Sequence, residues 1–279
     1  MKKISAIVIN YNTAKLTQET IFNLLEREPK VDWEVILIDN NSDEKIKESV
    51  FTGVKIRFIY NKENLGFAKA VNQGLALASQ QLILLLNSDM IVKPQAISAL
   101  ADYLEAQPPA GIIGPQFFYP DGRFQVSCGS FPRFGGELIR LLSLYKLFPF
   151  NTFIYKTPVS RWFFNSPQEV DWLSGGCLLV KKELIKDVGN FDENYFFGVE
   201  DVDYCFRAKL AGWKVVYLPL AEVIHYHGYS SGGTKTVSRL TRDRDGWMYF
   251  FKKNLPRKIF TRWLVAGAYF FRIALAPNK

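Results

Sequence analysis

Residues Leu82-Ile83-Leu84-Leu85-Leu86 run directly into Asn87-Ser88-Asp89. Five apolar side chains in a row leave no polar face, so the segment reads as a strand covered on both sides, as in a parallel sheet between helical layers. The abrupt polar ending brings Asp89 to the crevice beyond the carboxyl ends of such strands, where ligands of open α/β sheets bind. The pattern repeats towards the N-terminus. Residues 4–9 end in Asn10-Tyr11-Asn12, residues 35–39 lead into Asn40-Asn41-Ser42, and residues 55–60 lead into 61–64. All are read as strands buried on both faces. Between them, 14–28, 67–79 and 94–107 have helical spacing and length. Strand–helix alternation requires crossover helices, so the fold class is α/β with a mostly parallel central sheet flanked by helices. One polar strand end would be an ordinary turn, but four in succession line a site.

The second half is less periodic. Residues 131–165 are rich in Phe, Leu, Tyr, Lys and Arg, with three prolines. They read either as a packed insertion or as a loop meeting a lipid or an acceptor. Residues 170–180 are expected to form a strand, a helix starts near 198–200, and short strands cover 213–218 and 222–225. The tail, 259–276, is apolar but interrupted by Arg262 and Arg272, with nine uncharged residues between them. A bilayer span needs about 20. The tail is therefore an interfacial helix flanked by Lys252, Lys253, Arg257 and Lys258, or a helix packed on its own domain. This gives one domain over 1–233 and a helical extension over 234–279. Within the domain, 1–115 is the regular half and 116–233 the less periodic half, carrying the 131–165 insertion.

Composition narrows the classes. With 48% hydrophobic and 22% charged residues, the 279-residue chain is globular rather than disordered. Its net charge of +8 suits an anionic partner: nucleotide phosphates, an anionic lipid surface or nucleic acid. Nucleic acid is disfavoured, because the cations gather in the insertion and tail while the crevice residues are Asn and Asp. A nicotinamide oxidoreductase is disfavoured too, since Asn10-Tyr11-Asn12 stands where GxGxxG would follow the first strand. Cys128, Cys177 and Cys205 are dispersed and form no CxxC pair, against a zinc site or disulfide framework. The apolar run 4–9 is too short for a signal segment, so a cytoplasmic protein is expected.

Three groups carry candidate chemistry. Asp89 could hold a divalent cation such as Mg²⁺ or Mn²⁺, or cap the next helix. Glu200, Asp201 and Asp203 open a helix, where the macrodipole favours carboxylates whatever their role. At 100° per residue Glu200, Asp203 and Arg207 share a face, which leaves Asp201 to face a substrate as a general base. His225 and His227, the two histidines of the chain, end a strand before a Gly/Ser loop. They are structural, or they offer imidazole to a metal.

Taken in order, Val8-Ile9-Asn10-Tyr11-Asn12, Asp39-Asn40-Asn41-Ser42, Asn64-Leu65-Gly66-Phe67-Ala68, Asn87-Ser88-Asp89, Trp172-Leu173-Ser174-Gly175-Gly176, Gly189-Asn190-Phe191-Asp192-Glu193, Glu200-Asp201-Val202-Asp203 and His225…Gly228…Ser230 resemble the family 2 glycosyltransferases, in particular the rhamnosyltransferase-like branch. The resemblance implies a GT-A fold, a nucleotide-diphosphate sugar donor and inversion at the anomeric carbon. It implies that Asn10, Tyr11, Asn12, Asp39, Asn64, Gly66, Phe67, Asn87 and Ser88 bind nucleotide. Asp89 and His225 would hold Mg²⁺ or Mn²⁺, although Asn87 replaces the first carboxylate of the family's DXD motif. Trp172, Ser174, Gly175, Gly176, Glu200 and His227 would border the donor sugar and acceptor, with Asp201 as base. The expected donor is dTDP-rhamnose, with UDP-hexoses or a galactofuranose donor as alternatives. The expected acceptor is a lipid-linked saccharide or polysaccharide at the inner face of the cell membrane. An inactive scaffold relative is the reading from another class.

Overall fold

The computed structural model describes residues 1–141, 165–226 and 237–276. In chain order the elements are β1 (Lys2–Asn10), α1 (Ala14–Arg27), β2 (Val31–Asp39), β3 (Ile56–Tyr60), α2 (Phe67–Leu77), β4 (Leu82–Asn87), β5 (Met90–Val92), α3 (Ala96–Ala106), β6 (Ala110–Phe118), β7 (Phe124–Gln125), β8 (Cys128–Gly129), α4 (Phe134–Leu141), β9 (Gln168–Glu169), β10 (Trp172–Leu173), β11 (Cys177–Lys181), α5 (Lys182–Val188), α6 (Glu200–Leu210), β12 (Lys214–His225), α7 (Val237–Asn254) and α8 (Ile259–Ala274). The main sheet runs β3-β2-β1-β4-β11-β6-β12-β5. Along it β11 and β5 alone run antiparallel to their neighbours, so the expected mostly parallel sheet is present.

Period-two alternation in the strands feeds two apolar layers. Ile4, Ala6 and Val8 of β1 pack with α1 and α3 on one side, against Leu24, Ile97 and Leu100. Ile7 faces the other side with Ile83, Leu85, Val71 and Tyr204. A sheet covered on both faces in this way is what the unbroken 82–86 run demands.

Three expectations change in detail. Residues 55–60 are not buried on both faces: β3 is the sheet edge, and its charged Arg57 faces solvent. The 170–180 strand is two strands. Trp172–Leu173 pairs with β8 in a separate ribbon, whereas Cys177–Lys181 enters the main sheet beside β4. The two strands expected over 213–225 are one, β12, whose register on β6 shifts between Leu218 and Glu222, around Pro219, which has no N–H to donate. Most of the 131–165 insertion, residues 142–164, lies outside the described residues, as does His227.

The C-terminal helices belong to the body of the molecule. Leu240, Trp247, Phe250 and Phe251 of α7 form a third apolar cluster with Tyr195, Val199 and Val202, into which Val265 and Tyr269 of α8 also pack. Among the described residues no helix is long and apolar enough to cross a membrane.

Candidate active site

The strand ends meet where the sequence pattern puts them. At the end of β1, the buried Asn10 amide donates to Asp39 Oδ2 at 2.6 Å and to Ser42 Oγ at 2.9 Å. Asp39 Oδ1 accepts the Ser42 N–H at 2.9 Å, and Asn10 Oδ1 accepts Thr17 Oγ1 at 2.7 Å. With their polar atoms paired, these groups fix the β1 and β2 ends against each other. Asn40 does the same for the next loop: it donates to Asn64 Oδ1 at 2.9 Å and to Gly66 O at 3.2 Å, and accepts the Leu65 N–H at 3.1 Å.

In front of this network lies a cavity of about 530 Å³, lined by Tyr11, Asn40, Asn64, Gly66, Phe67, Asn87 and Ser88, and by Phe196, Phe197, Arg239 and Arg242. Six of the nine residues expected to bind nucleotide therefore share one wall. Asn10, Asn12 and Asp39 do not line it; Asn10 and Asp39 are buried behind it, and Asn12 Oδ1 accepts the Asp43 N–H at 2.8 Å. Gly66 adopts φ +81°, and a β-carbon there would fall 2.4 Å from the Phe196 carbonyl oxygen. That oxygen accepts the Phe67 N–H at 2.8 Å, so the 195–199 segment closes directly onto the loop before α2.

Asp89 and His225 come together through the antiparallel register of β5 on β12, which sets Met90 opposite His225. His225 Nε2 stands 3.4 Å from Asp89 Oδ1, both side chains being buried. An oxygen and a nitrogen donor at that spacing fit two neighbouring ligands of one divalent ion. Among the described residues no cluster of three or more such ligands forms, so the remaining positions would fall to water or a bound phosphate. Gln125 Nε2 lies 2.9 Å from His225 Nδ1, and its Oε1 is buried with no partner among the described residues. Turning the carboxamide over, which exchanges its oxygen and nitrogen, would present Oε1 to Nδ1–H and leave His225 Nε2 its lone pair.

The third group forms at the head of α6. Asp201 is half-buried; its Oδ2 accepts the Gly175 N–H at 2.8 Å and its Oδ1 the Val202 N–H at 2.8 Å. A β-carbon on Gly175 would touch Asp201 and lie 3.6 Å from the Phe67 ring, so this turn spans the cavity wall and the acid. Gly176 O accepts the Asn87 N–H at 2.8 Å, tying the same turn to β4. Ser174 Oγ faces the Gly176 N–H at 3.4 Å, and Trp172, half-buried on Gly129, donates from Nε1 to Ser130 O at 3.1 Å. Asp203 is fully buried and paired with Arg207 Nε at 2.8 Å and Lys253 Nζ at 2.9 Å. Glu200 is buried, and its Oε2 has no hydrogen-bond partner among the described residues. Burial, then the neighbouring Asp201 charge, pushes its carboxyl well above the ordinary value of 4.5.

Sequence reasoning missed Phe196, Phe197, Gln125, Arg239 and Arg242. The arginines had a readable signal. Leu240, Trp247, Phe250 and Phe251 give α7 an apolar stripe, and Arg239 and Arg242 flank its buried edge.

Comparison with known proteins matches residues 5–188 to the family described as glycosyl transferase family 2. The N-acetylglucosaminyl-diphospho-decaprenol L-rhamnosyltransferase of Mycobacterium tuberculosis is 34% identical over 212 residues, covering 71% of this chain and 68% of the relative. Rhamnosyltransferase WbbL of Escherichia coli K12 is 30% identical over 149 residues, 53% of each. Among solved structures, a mannosyltransferase from Pyrobaculum calidifontis in complex with GDP-Man and Mn²⁺ superposes with a TM-score of 0.61 at 17% identity, covering 99% of this chain and 76% of that one.

Proposed function

We propose, because this chain belongs to glycosyl transferase family 2, that it is an inverting, metal-dependent transferase moving rhamnose from dTDP-rhamnose to a lipid-linked saccharide. The observation that carries the reading is the turn at Gly175. Its N–H holds Asp201 at 2.8 Å, and a β-carbon on Gly175 would lie 3.6 Å from the Phe67 ring of the cavity, which supports Asp201 as a base at the edge of a nucleotide-sized pocket. The M. tuberculosis relative, an L-rhamnosyltransferase by name, supports the sugar and the polyprenyl diphosphate acceptor class.

Each residue has a task. Tyr11, 40% exposed at the cavity wall, offers a ring face to the nucleobase, and the Asn64 and Asn87 amides offer hydrogen bonds to the nucleotide. Asp89 and His225 would hold Mg²⁺ or Mn²⁺, whose charge stabilises the departing diphosphate. Asp201 takes the proton of the acceptor hydroxyl as that oxygen bonds to the anomeric carbon. The bond from that carbon to the diphosphate oxygen breaks on the opposite face, and the nucleoside diphosphate leaves. One displacement inverts the anomeric centre without a covalent sugar–enzyme intermediate.

The acceptor's lipid end requires a membrane surface. On α8, Phe260, Trp263, Phe270 and Phe271 are each more than 60% exposed, and Arg257, Lys258 and Arg272 are exposed around them. An aromatic stripe with a cationic flank suits the interface of an anionic bilayer, and would place this protein on the cytoplasmic leaflet.

Thermal unfolding with Mn²⁺ or Mg²⁺ and dTDP, UDP, GDP or CDP in turn tests the donor. A native-state ligand at a hundred times its dissociation constant adds about 2.7 kcal/mol. A metal-dependent shift specific to dTDP is expected. A shift specific to UDP redirects the sugar, and no shift with any pair at millimolar ligand overturns the donor site.

A further inference from the structure

The family match ends at residue 188, yet two of the cavity's lining residues, Arg239 and Arg242, come from α7, well beyond it. Among the described residues of that lining they are the charged side chains, and no carboxylate accompanies them. Arg242 is exposed and makes no ion pair or hydrogen bond among the described residues. The helix that carries it is firmly docked. Moving along the same face, Asp243 Oδ1 lies 3.2 Å from the β-carbon position of Gly198, and Gly246 packs on the Gly198 carbonyl. Phe250 is fully buried, and Lys253 Nζ meets Asp203 at 2.9 Å. The spacing 239, 242/243, 246, 250, 253 is one helical stripe, so the arginines are held at the cavity by packing along most of α7.

We infer that Arg242, with Arg239 beside it, binds the diphosphate of the donor and takes up its growing charge as it leaves. The inference rests on the donor reading above and adds that the donor site is incomplete without α7. The chemistry asks for it. Asn87 leaves Asp89 as the carboxylate of that motif, so cation-mediated neutralisation of the diphosphate has fewer anchors than a two-carboxylate site would give. A planar guanidinium offers paired N–H donors that match two phosphate oxygens, and Arg242 breaks no ion pair with a described residue to bind them.

The test is titration of the wild-type chain, Arg242→Gln and Arg242→Lys with dTDP and with UDP, at low and at physiological salt, with thermal unfolding confirming that each is folded. The expected result is a dissociation constant on the order of 10-fold or more higher for Arg242→Gln, with a shallower salt dependence. Arg242→Lys should fall between, keeping the charge but losing the fork. Affinity within twofold of wild type for Arg242→Gln would overturn the inference while leaving the donor reading intact. A wild-type chain that binds neither nucleotide would overturn the donor reading itself.

Discussion

The carboxylate of Asp201 accepts the N–H of Gly175 at 2.8 Å, which ties the first turn of α6 to the turn between β10 and β11. A second N–H, from Val202, reaches the other oxygen at 2.8 Å. These bonds fix the side chain against the turn between β10 and β11. Asp201→Asn preserves shape but can accept only one of the two N–H groups, its NH2 facing the other, and it cannot take up a proton at neutral pH. Nucleotide affinity should stay near wild type while turnover falls by roughly 10²–10⁴-fold. Steady-state transfer assays with nucleotide titration decide it, and unchanged turnover would remove Asp201 from the mechanism.

The Gln125–His225 contact sets a prediction about metal. Gln125 meets the His225 ring at Nδ1, and that ring is 3.4 Å from Asp89. Outer-shell partners of a ligating histidine are usually worth 10–100-fold in metal affinity. Gln125→Leu should raise the Mn²⁺ concentration for half-maximal activation by at least about tenfold, and saturating Mn²⁺ should restore activity. An unchanged activation curve would mean that His225 is held by its packing on Phe117 instead.

Glu200 gives the stability a pH dependence of known sign. Its carboxyl is pushed well above 4.5 by burial and by Asp201, with a smaller push from Asp243. A raised folded value means the unfolded chain releases this proton first as pH rises. Glu200 therefore stabilises fully below about 4.5, and that stability is lost as pH rises towards the folded value. Glu200→Gln removes the titration. The melting temperature of the variant minus that of the wild type should grow as pH rises from 4.5 to 8, and parallel curves would rule out a buried neutral Glu200.

The parts of this architecture that were legible are those with a local period. The apolar run 82–86, the polar strand ends and the amphipathic spans predicted β1 to β4 and α1 to α3 to within a few residues, because burial on two faces leaves few compositions available. The carboxylates of α6 could be sorted by helical angle alone, and Asp203 does pair with Arg207. What escaped came from pairings distant in sequence. Phe196 meets Gly66 across 130 residues of chain. Gln125 meets His225 across 100. The edge position of β3 depends on sheet order, which periodicity does not carry. Val199 is harder still: its φ of +72° is a conformation that a β-branched residue disfavours, so its side chain gave no local sign of the turn.

The face of α8 makes a separate claim about location. Replacing Phe260, Trp263 and Phe271 together by Ser removes exposed apolar surface without touching the buried Val265 and Tyr269. Unfolding temperature should change little, whereas co-sedimentation with vesicles containing anionic lipid should fall severalfold. Binding that survives the triple replacement but disappears at high salt would assign the attachment to the cations alone. No binding by the wild-type chain would remove the membrane surface from the proposal.

Gly246 lies where α7 presses on the loop that leads into Asp201. A β-carbon there would sit 3.1 Å from the Gly198 carbonyl oxygen and 3.2 Å from Val199 Cγ2, so the loop must yield by a few tenths of an ångström. Val199 already occupies a left-handed conformation, which for such a residue costs about 1–3 kcal/mol and persists only under surrounding constraint. Gly246→Ala gains about 1 kcal/mol in helix propensity and loses a comparable amount to the contact. Its stability should therefore stay within about 1 kcal/mol of wild type. Its turnover should fall if Asp201 is the proposed base, because Glu200 and Asp201 follow Val199 directly, and displacing a catalytic group by a fraction of an ångström costs on the order of tenfold. The matched control is Gly267→Ala on α8, where nothing lies within 4 Å of the new carbon. That variant should gain stability and keep its turnover. If Gly246→Ala and Gly267→Ala behave alike in transfer assays, α7 supports the fold but does not position Asp201.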